Sequence, residues 1–431
     1  MAPKSGAALA ASDLSPEIEK VFVELRTAAR LNRQASAKVK NHVLKFLANN
    51  LILRSSQILA ANEQDLARLS SDRPAAFRDR LTLNLKRLEA MAESLSQVAA
   101  LPDPVGEVVE TRTLKNGLKT SRVRAPLGVI FMIFESRPNV ILEAFSLAFK
   151  SGNVIALRGG SESSRTSEVI YEMMRETLTA GGFELSPFYG FNNYDREIVS
   201  QLLKRKDLID VTVPRGGDQL IEYVQTHATM PIIKNDRGLC HAYVDDEADL
   251  EMAVRIVANG KVQRPGVCNS LETVLVHQKV AAEFLPMLFE KTKGVNLEWH
   301  ADPASCEILS GRPKVKAAGP KDWDTEYLEL ILNCRVVQGL DEALAHIEKH
   351  GSKHSEAIIT RSETRARRFQ NEIDAAAVYW NASTRFTDGF ELGLGGELGI
   401  STQKLHVRGP VGLRELTSTR WIMDGNGQVR E

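Results

Sequence analysis

The chain has 431 residues, 43% of them apolar and 26% charged, which fits a globular protein too long for one ordinary core, so two or three domains are expected. Lys plus Arg and Asp plus Glu both number 55, and the resulting zero formal charge argues against a general polyanion binder such as a nucleic-acid protein. The four cysteines, Cys240, Cys268, Cys306 and Cys334, stand far apart without a CxxC pair, which excludes a disulfide framework and a zinc cluster.

Residues 1–13 are small and Ala-rich, without the apolar core of a signal peptide. The longest purely apolar run, residues 129–134, is far short of a membrane span, so a cytoplasmic location is the default. Ser15-Pro16-Glu17 opens a helix, with Ser as cap and Pro in the first turn. Val39, Val43, Leu44, Leu47 and Leu51 mark a second, amphipathic helix. Ser70 to Pro74 form a breaker, and residues 80–99 read as helix again.

A hairpin follows: a polar strand over 107–113, an Asn116-Gly117 turn and a return over 119–124. A polar two-sided hairpin has little to bury within its own domain, so it suits an arm that pairs with another subunit's sheet edge. Beyond Pro126, strands and helices alternate. Strands are expected over 128–134, 154–157 and 208–213, and helices over 140–150 and 163–180. A second round begins near Leu239, with strands over 241–244, 271–276, 357–360 and 376–379. Helices are expected over 249–258 and from about Val280. This alternation predicts parallel sheets covered by helices, in two α/β domains joined near Asp236-Arg237-Gly238.

Cys268 stands in Arg264-Pro265-Gly266-Val267-Cys268-Asn269, directly before a strand and four residues after a cation. Positive surroundings favour the reactive thiolate, which would attack an acyl or aldehyde carbon. The plain alternative is a small core residue. Two strand ends carry glycine before a helix start, Arg158-Gly159-Gly160-Ser161 and Pro214-Arg215-Gly216-Gly217. Neither is GxGxxG or a P-loop, so they are ordinary turns or anion contacts. The glycine cluster over 388–399 is a flexible loop or a border of an active site. His346, His350 and His354, spaced by four, lack further ligands and read as a helix end and a loop.

These stretches resemble the aldehyde dehydrogenase superfamily. The likeness is carried by Val123-Arg124-Ala125-Pro126-Leu127-Gly128, Glu135-Ser136-Arg137-Pro138-Asn139 and Val213-Pro214-Arg215-Gly216-Gly217. It extends through the Cys268 segment and Thr325-Glu326-Tyr327-Leu328 to Asn381-Ala382-Ser383-Thr384-Arg385-Phe386-Thr387-Asp388-Gly389. The last stretch and the Cys268 segment resemble the γ-glutamyl phosphate reductase branch, and the similarity covers nearly the whole chain.

The resemblance implies an aldehyde dehydrogenase-like α/β fold: two parallel-sheet domains plus a small β oligomerisation arm. Residues 1–106 and 125–238 would bind NADP(H), with 239–400 as the catalytic domain, its last part free to return to the cofactor domain. Residues 107–124 and 401–431 would form the arm. The implied reaction is NADPH-dependent reduction of L-glutamyl 5-phosphate to L-glutamate 5-semialdehyde in proline biosynthesis. Cys268 would attack the acyl phosphate, phosphate would leave, and hydride would reduce the thioester. Asn139 and the Cys268 backbone N–H are the candidate oxyanion donors; Asn139 as a plain helix cap is the alternative. Arg137, Arg264 and Arg385 are candidates for the substrate's anionic groups, or plain surface charge, with Ser383 and Thr384 for its carboxylate. Glu326 matches the family's ribose-binding Glu, with Glu329 as neighbour. Arg158 and Arg215 favour NADPH over NADH, and Gly159, Ser161, Pro214, Gly216 and Gly217 complete the cofactor set.

Hydrolytic relatives carry a water-activating Glu where this chain has Asn235, which argues for phosphate over water as acceptor. The alternative is a general NAD(P)-dependent aldehyde dehydrogenase oxidising a small aldehyde. A Cys/His hydrolase using His241 or His277 is a more distant one. Expected partners are the small-molecule acyl phosphate and further copies of the chain, as a dimer or tetramer. A functional partnership with a separate glutamate 5-kinase is also expected, and no nucleic acid or membrane is.

Overall fold

The computed structural model describes residues 14–73, 75–135, 137–234 and 237–430. The chain divides into two units, one ending at Ile233 and resuming at Gly412, the other comprising Lys234–Val411.

In the first unit, Ser15 accepts the Ile18 N–H at 3.4 Å and starts α1 (Pro16–Asn32), as its Ser-Pro-Glu signature predicts. Ser36 caps α2 (Ala37–Leu53) in the same way. α3 (Ser55–Arg68) begins one residue later, after a bend at Arg54, and was not anticipated. α4 (Ala75–Leu81) is short. The helix expected over 80–99 is interrupted: Asn84 accepts the Arg87 N–H at 2.9 Å and caps a separate α5 (Leu85–Ala100). A mid-run Asn with a free backbone N–H three residues on favours a new start over continuation.

The hairpin consists of β1 (Val108–Thr113) and β2 (Lys119–Pro126). Its turn is longer than the expected two-residue Asn-Gly type. Leu114 N–H bonds to Leu118 O at 2.9 Å, and Gly117 alone takes the left-handed conformation, at φ +82°.

Then come β3 (Val129–Phe134), α6 (Asn139–Lys150), β4 (Val154–Arg158), α7 (Ser164–Ala180) and β5 (Phe188–Gly190). α8 (Arg196–Leu202), β6 (Val211–Arg215) and α9 (Asp218–His227) complete the series. The strands form a parallel sheet ordered β5-β4-β3-β6. Val129, Phe131 and Ile133 bury one face of β3 against Phe22 and Leu25 of α1. The last strand was expected over 208–213. Leu208 and Ile209 instead close a turn on the Arg205 carbonyl, so Pro214 and Arg215 fall inside the strand, opposite Ile133 and Phe134. Pro is tolerated there because β6 ends the sheet's named strand order.

The second unit opens with β7 (Cys240–Val244), α10 (Leu250–Val262), β8 (Leu271–His277) and α11 (Gln278–Thr292). β9 (Glu298–Ala301), α12 (Pro303–Ile308), β10 (Val315–Ala317) and β11 (Ile331–Val337) follow; sequence periodicity missed the three strands. α13 (Leu340–His350), β12 (Ser355–Ile359), α14 (Glu363–Glu372) and β13 (Ala377–Trp380) complete a parallel sheet ordered β10-β9-β11-β8-β7-β12-β13. β7, β8 and β12 are buried at every residue, as strands of a covered parallel sheet should be, and this burial includes the polar side chains His241, Glu272 and Glu356.

Residues 401–411, expected in the arm, belong to this second unit. β14 (Ile400–Ser401) pairs antiparallel with β15 (Gly409–Pro410), and the N–H of Val411 bonds to Gly399 O at 2.8 Å. The arm strand is β16 (Thr417–Asp424), which extends the hairpin to a three-stranded antiparallel sheet ordered β1-β2-β16. Buried Asn153 ties this strand's approach to the first unit. Its amide donates to Leu416 O and its Oδ1 accepts the Gly128 N–H, both at 2.8 Å.

Candidate active site

Cys268 occupies the turn between α10 and β8 and is half-buried, while Asn269 and Ser270 beside it are buried. Two features close the turn. Ser270 N–H bonds to Val267 O at 3.0 Å. Lys261 and Glu272, at the two ends of the turn, form a fully buried ion pair at 2.8 Å. Burial pushes the Glu272 carboxyl up to about 7 against the pull of Lys261, and burial pushes Lys261 down.

The backbone of residue 238 and the side chain of residue 240 lie against the carbonyl of Cys268. A Cβ on Gly238 would fall 1.5 Å from the Cys268 oxygen, so only glycine fits. The buried Cys240 thiol donates to the same oxygen at 3.2 Å. Burial raises its pKa well above the ordinary thiol value, which keeps it protonated and a donor. Glu326 accepts the Gly238 N–H at 2.8 Å. The carboxylate expected to meet a ribose therefore also braces the backbone that faces the nucleophile. Glu326 stands in a stretch that carries the family likeness, but spacing gives no sign that Gly238, Cys240 and Glu326 converge.

The segment after β13 forms a further wall. Ser383 and Thr384 are buried. Ser383 Oγ accepts the Arg385 N–H at 3.3 Å, and Thr384 Oγ1 donates to Asn269 O at 2.8 Å. Both hydroxyls thus serve the wall itself. Arg385 is half-buried, with its Nε donating to Gln263 Oε1 at 2.8 Å. Burial, then the charge of Arg264, lowers the pKa of this guanidinium. Arg264 itself is exposed. Asn235, the expected replacement for a water-activating Glu, lies outside the described residues, as do Ser136 and Asp236.

In the glycine cluster, Gly389 N–H bonds to Glu397 Oε2 at 2.9 Å and Leu394 N–H to Gly389 O at 2.7 Å. It is an internally bonded loop. Of the two histidines weighed as hydrolytic bases, His241 pairs through Nδ1 with buried Glu356 at 3.0 Å. His277 caps α11, accepting the Lys279 N–H at 3.1 Å. Among the described residues no group of three or more His, Cys, Asp or Glu is arranged to hold a metal.

The first unit holds the other expected residues. Asn139 is the first residue of α6; the capping position falls on Pro138, without a side-chain cap bond. Arg137 precedes it, and its carbonyl accepts the Val140 N–H at 3.0 Å. Arg158 ends β4, and its Nη2 donates to Tyr194 O at 2.6 Å while its buried Nε has no partner. Gly159 packs where a Cβ would lie 3.1 Å from Phe134 Cζ, and Ser161 is exposed. Arg215 ends β6, 3.5 Å from Glu143. The start of α9, an ordinary turn or an anion contact by sequence, has a carboxylate beside it. Glu135 Oε1 accepts the Gly217 N–H at 3.1 Å and lies where a Cβ on Gly216 would go. The carboxylate thus takes up the N–H of the capping residue, while the first turn of α9 has no side-chain cap bond. At the end of β4, the guanidinium of Arg158 and the exposed hydroxyl of Ser161 are of the chemistry that suits a phosphate group.

Residues 28–307 match the model of the aldehyde dehydrogenase family. The γ-glutamyl phosphate reductase of Moorella thermoacetica is 48% identical over 96% of this chain and 99% of its own length. That of Ligilactobacillus salivarius is 44% identical over 97% of this chain and 100% of its own. The crystal structure of the Thermotoga maritima γ-glutamyl phosphate reductase superposes with a TM-score of 0.91 at 42% identity, covering 96% of this chain and all of that one. The chain belongs to the aldehyde dehydrogenase family and, within it, to the γ-glutamyl phosphate reductases. Aldehyde dehydrogenases work with a nicotinamide cofactor. No helix among the described residues is long and apolar enough to cross a membrane.

Proposed function

We propose that this chain reduces L-glutamyl 5-phosphate to L-glutamate 5-semialdehyde with NADPH, releasing inorganic phosphate, as a step of proline biosynthesis. The observation that carries the reading is the Cys268 turn: a half-buried thiol on a braced backbone, with Arg264 and Arg385 beside it, in a near full-length γ-glutamyl phosphate reductase relative.

Cys268 Sγ attacks the acyl carbon, the carbon–oxygen bond to phosphate breaks, and a thioester remains on the chain. The bound dinucleotide supplies hydride to that carbon. The tetrahedral oxygen collapses back to an aldehyde, the carbon–sulfur bond breaks, and the sulfur regains a proton. The Cys268 N–H meets the developing oxyanion, with Asn139 as the side-chain donor carried over from the family. Arg264 and Arg385 hold the substrate's anionic groups, and Arg137 is a further candidate for them. Ser383 and Thr384 shape that wall and support the α-carboxylate. Arg158 and Ser161 are assigned to the adenosine phosphate of NADPH, with Gly159, Pro214, Arg215, Gly216 and Gly217 bordering it. Glu326 is assigned to a ribose.

The arm of β1, β2 and β16 presents exposed Val108, Val109, Trp421 and Met423 beside open strand edges, which supports assembly with a second copy. A cytoplasmic location and a functional link to a glutamate 5-kinase complete the proposal.

The test follows NADPH formation from glutamate semialdehyde and NADP+, with and without inorganic phosphate. Phosphate-dependent formation that vanishes in Cys268→Ala is expected. A rate indifferent to phosphate would indicate a general aldehyde dehydrogenase instead.

A further inference from the structure

We infer that Asn269 is a positioning residue that locks the substrate-anion segment to the nucleophile turn, acting through Arg385. The inference rests on the reading of Arg385 as a substrate anchor. Asn269 follows Cys268 directly and is only 3% exposed. Its side-chain amide donates to Thr387 O at 2.7 Å and to Arg385 O at 3.4 Å. Its own backbone carbonyl accepts the Thr384 hydroxyl at 2.8 Å. Side chain and peptide of one residue thus grip Thr384, Arg385 and Thr387, in a segment separated from it by 118 positions at Thr387.

The grip continues on the far side. Thr387 Oγ1 is 2.6 Å from Ser355 Oγ and 2.7 Å from the Tyr379 hydroxyl, so the carbonyl that Asn269 holds belongs to a residue anchored to β12 and β13. Arg385 is restrained at both ends by the same turn: its carbonyl by Asn269, its guanidinium by Gln263 at 2.8 Å. The separation between Cys268 and the Arg385 cation is therefore set by the turn that carries the nucleophile. Only a side chain with two N–H donors on one planar group reaches both carbonyls; a carboxylate would set acceptor against acceptor. Asn269 Oδ1 is buried without a donor, a cost that packing alone would not favour.

The experiment measures KM for glutamate semialdehyde, KM for NADP+ and the rate of Cys268 alkylation by iodoacetamide in the full-length enzyme. The variants are Asn269→Ala, Arg385→Ala and their combination. Asn269→Ala is expected to raise the semialdehyde KM by about tenfold, while KM for NADP+ and the alkylation rate stay within about twofold. The combined variant is expected to match Arg385→Ala, because Asn269 acts only through the guanidinium that this change removes. An unchanged semialdehyde KM in Asn269→Ala, or effects that multiply in the combined variant, would overturn the inference. If Arg385→Ala itself leaves the semialdehyde KM unchanged, the anchor reading fails instead. Asn269→Ser, which keeps a small polar group but cannot span both carbonyls, serves if the alanine variant does not fold, with the same expected split.

Discussion

The thiol of Cys240 hydrogen-bonds to the carbonyl oxygen of Cys268 at 3.2 Å, so one buried cysteine positions the peptide of another. A lost donor of this kind corresponds to about 1 kcal/mol, or roughly fivefold in rate if it is felt in the transition state. Cys240→Ala is expected to lower kcat by about that factor with little change in KM. Cys240→Ser, which keeps a donor, recovers most of it. Equal losses in both variants would reduce Cys240 to a packing role. The readout is steady-state NADPH formation.

Gly238→Ala should be far more damaging. Its Cβ would overlap the Cys268 oxygen at 1.5 Å, so the turn must move. A displacement of about 1 Å at a nucleophile costs on the order of 100-fold. The variant should stay folded by circular dichroism yet lose at least that much activity; near-normal activity would mean the backbone there shifts freely.

Lys261→Met leaves the Glu272 carboxylate buried alone and should destabilise the protein by about 3–5 kcal/mol. The double variant Lys261→Met, Glu272→Met should recover most of that stability, since well-packed apolar side chains substitute for such a pair. Burial already raises Glu272 to about 7 in the presence of Lys261. A raised carboxyl contributes stability below its unfolded pKa and loses it as pH rises through the folded value. The deficit of Lys261→Met should therefore widen between pH 5 and pH 8. Urea unfolding across that range checks both expectations, and a deficit that narrows with pH would contradict the sign.

Trp421 and Met423 are 47% and 61% exposed on β16. Replacing both with Glu should lower the oligomeric state seen by sedimentation velocity without unfolding the first unit. An unchanged sedimentation coefficient would place the contact elsewhere.

The alternation of strands and helices, the hairpin and the glycine-marked helix ends were legible because side-chain periodicity and turn chemistry are local. Asn84 and Leu208 show where that reading stops. A run that looks helical breaks at an Asn free to cap, and a run that looks like a strand bends back on a carbonyl. The short strands β9 and β10 carry too few residues for a period to emerge, and in β11 Asn333 and Arg335 interrupt the apolar run.

By itself the sequence determined the fold class, the family and Cys268 as the thiol to consider, since those rest on residue types and spacing along the chain. Tertiary structure alone decided that Gly238 and Cys240 lie against the Cys268 carbonyl, that Asn269 holds the backbone at Thr387, and that Glu135 accepts the Gly217 N–H. Those contacts join residues 28 to 118 positions apart. Hydrogen bonding and steric exclusion act through space, and no local pattern along the chain records which distant groups the fold brings within about 3 Å.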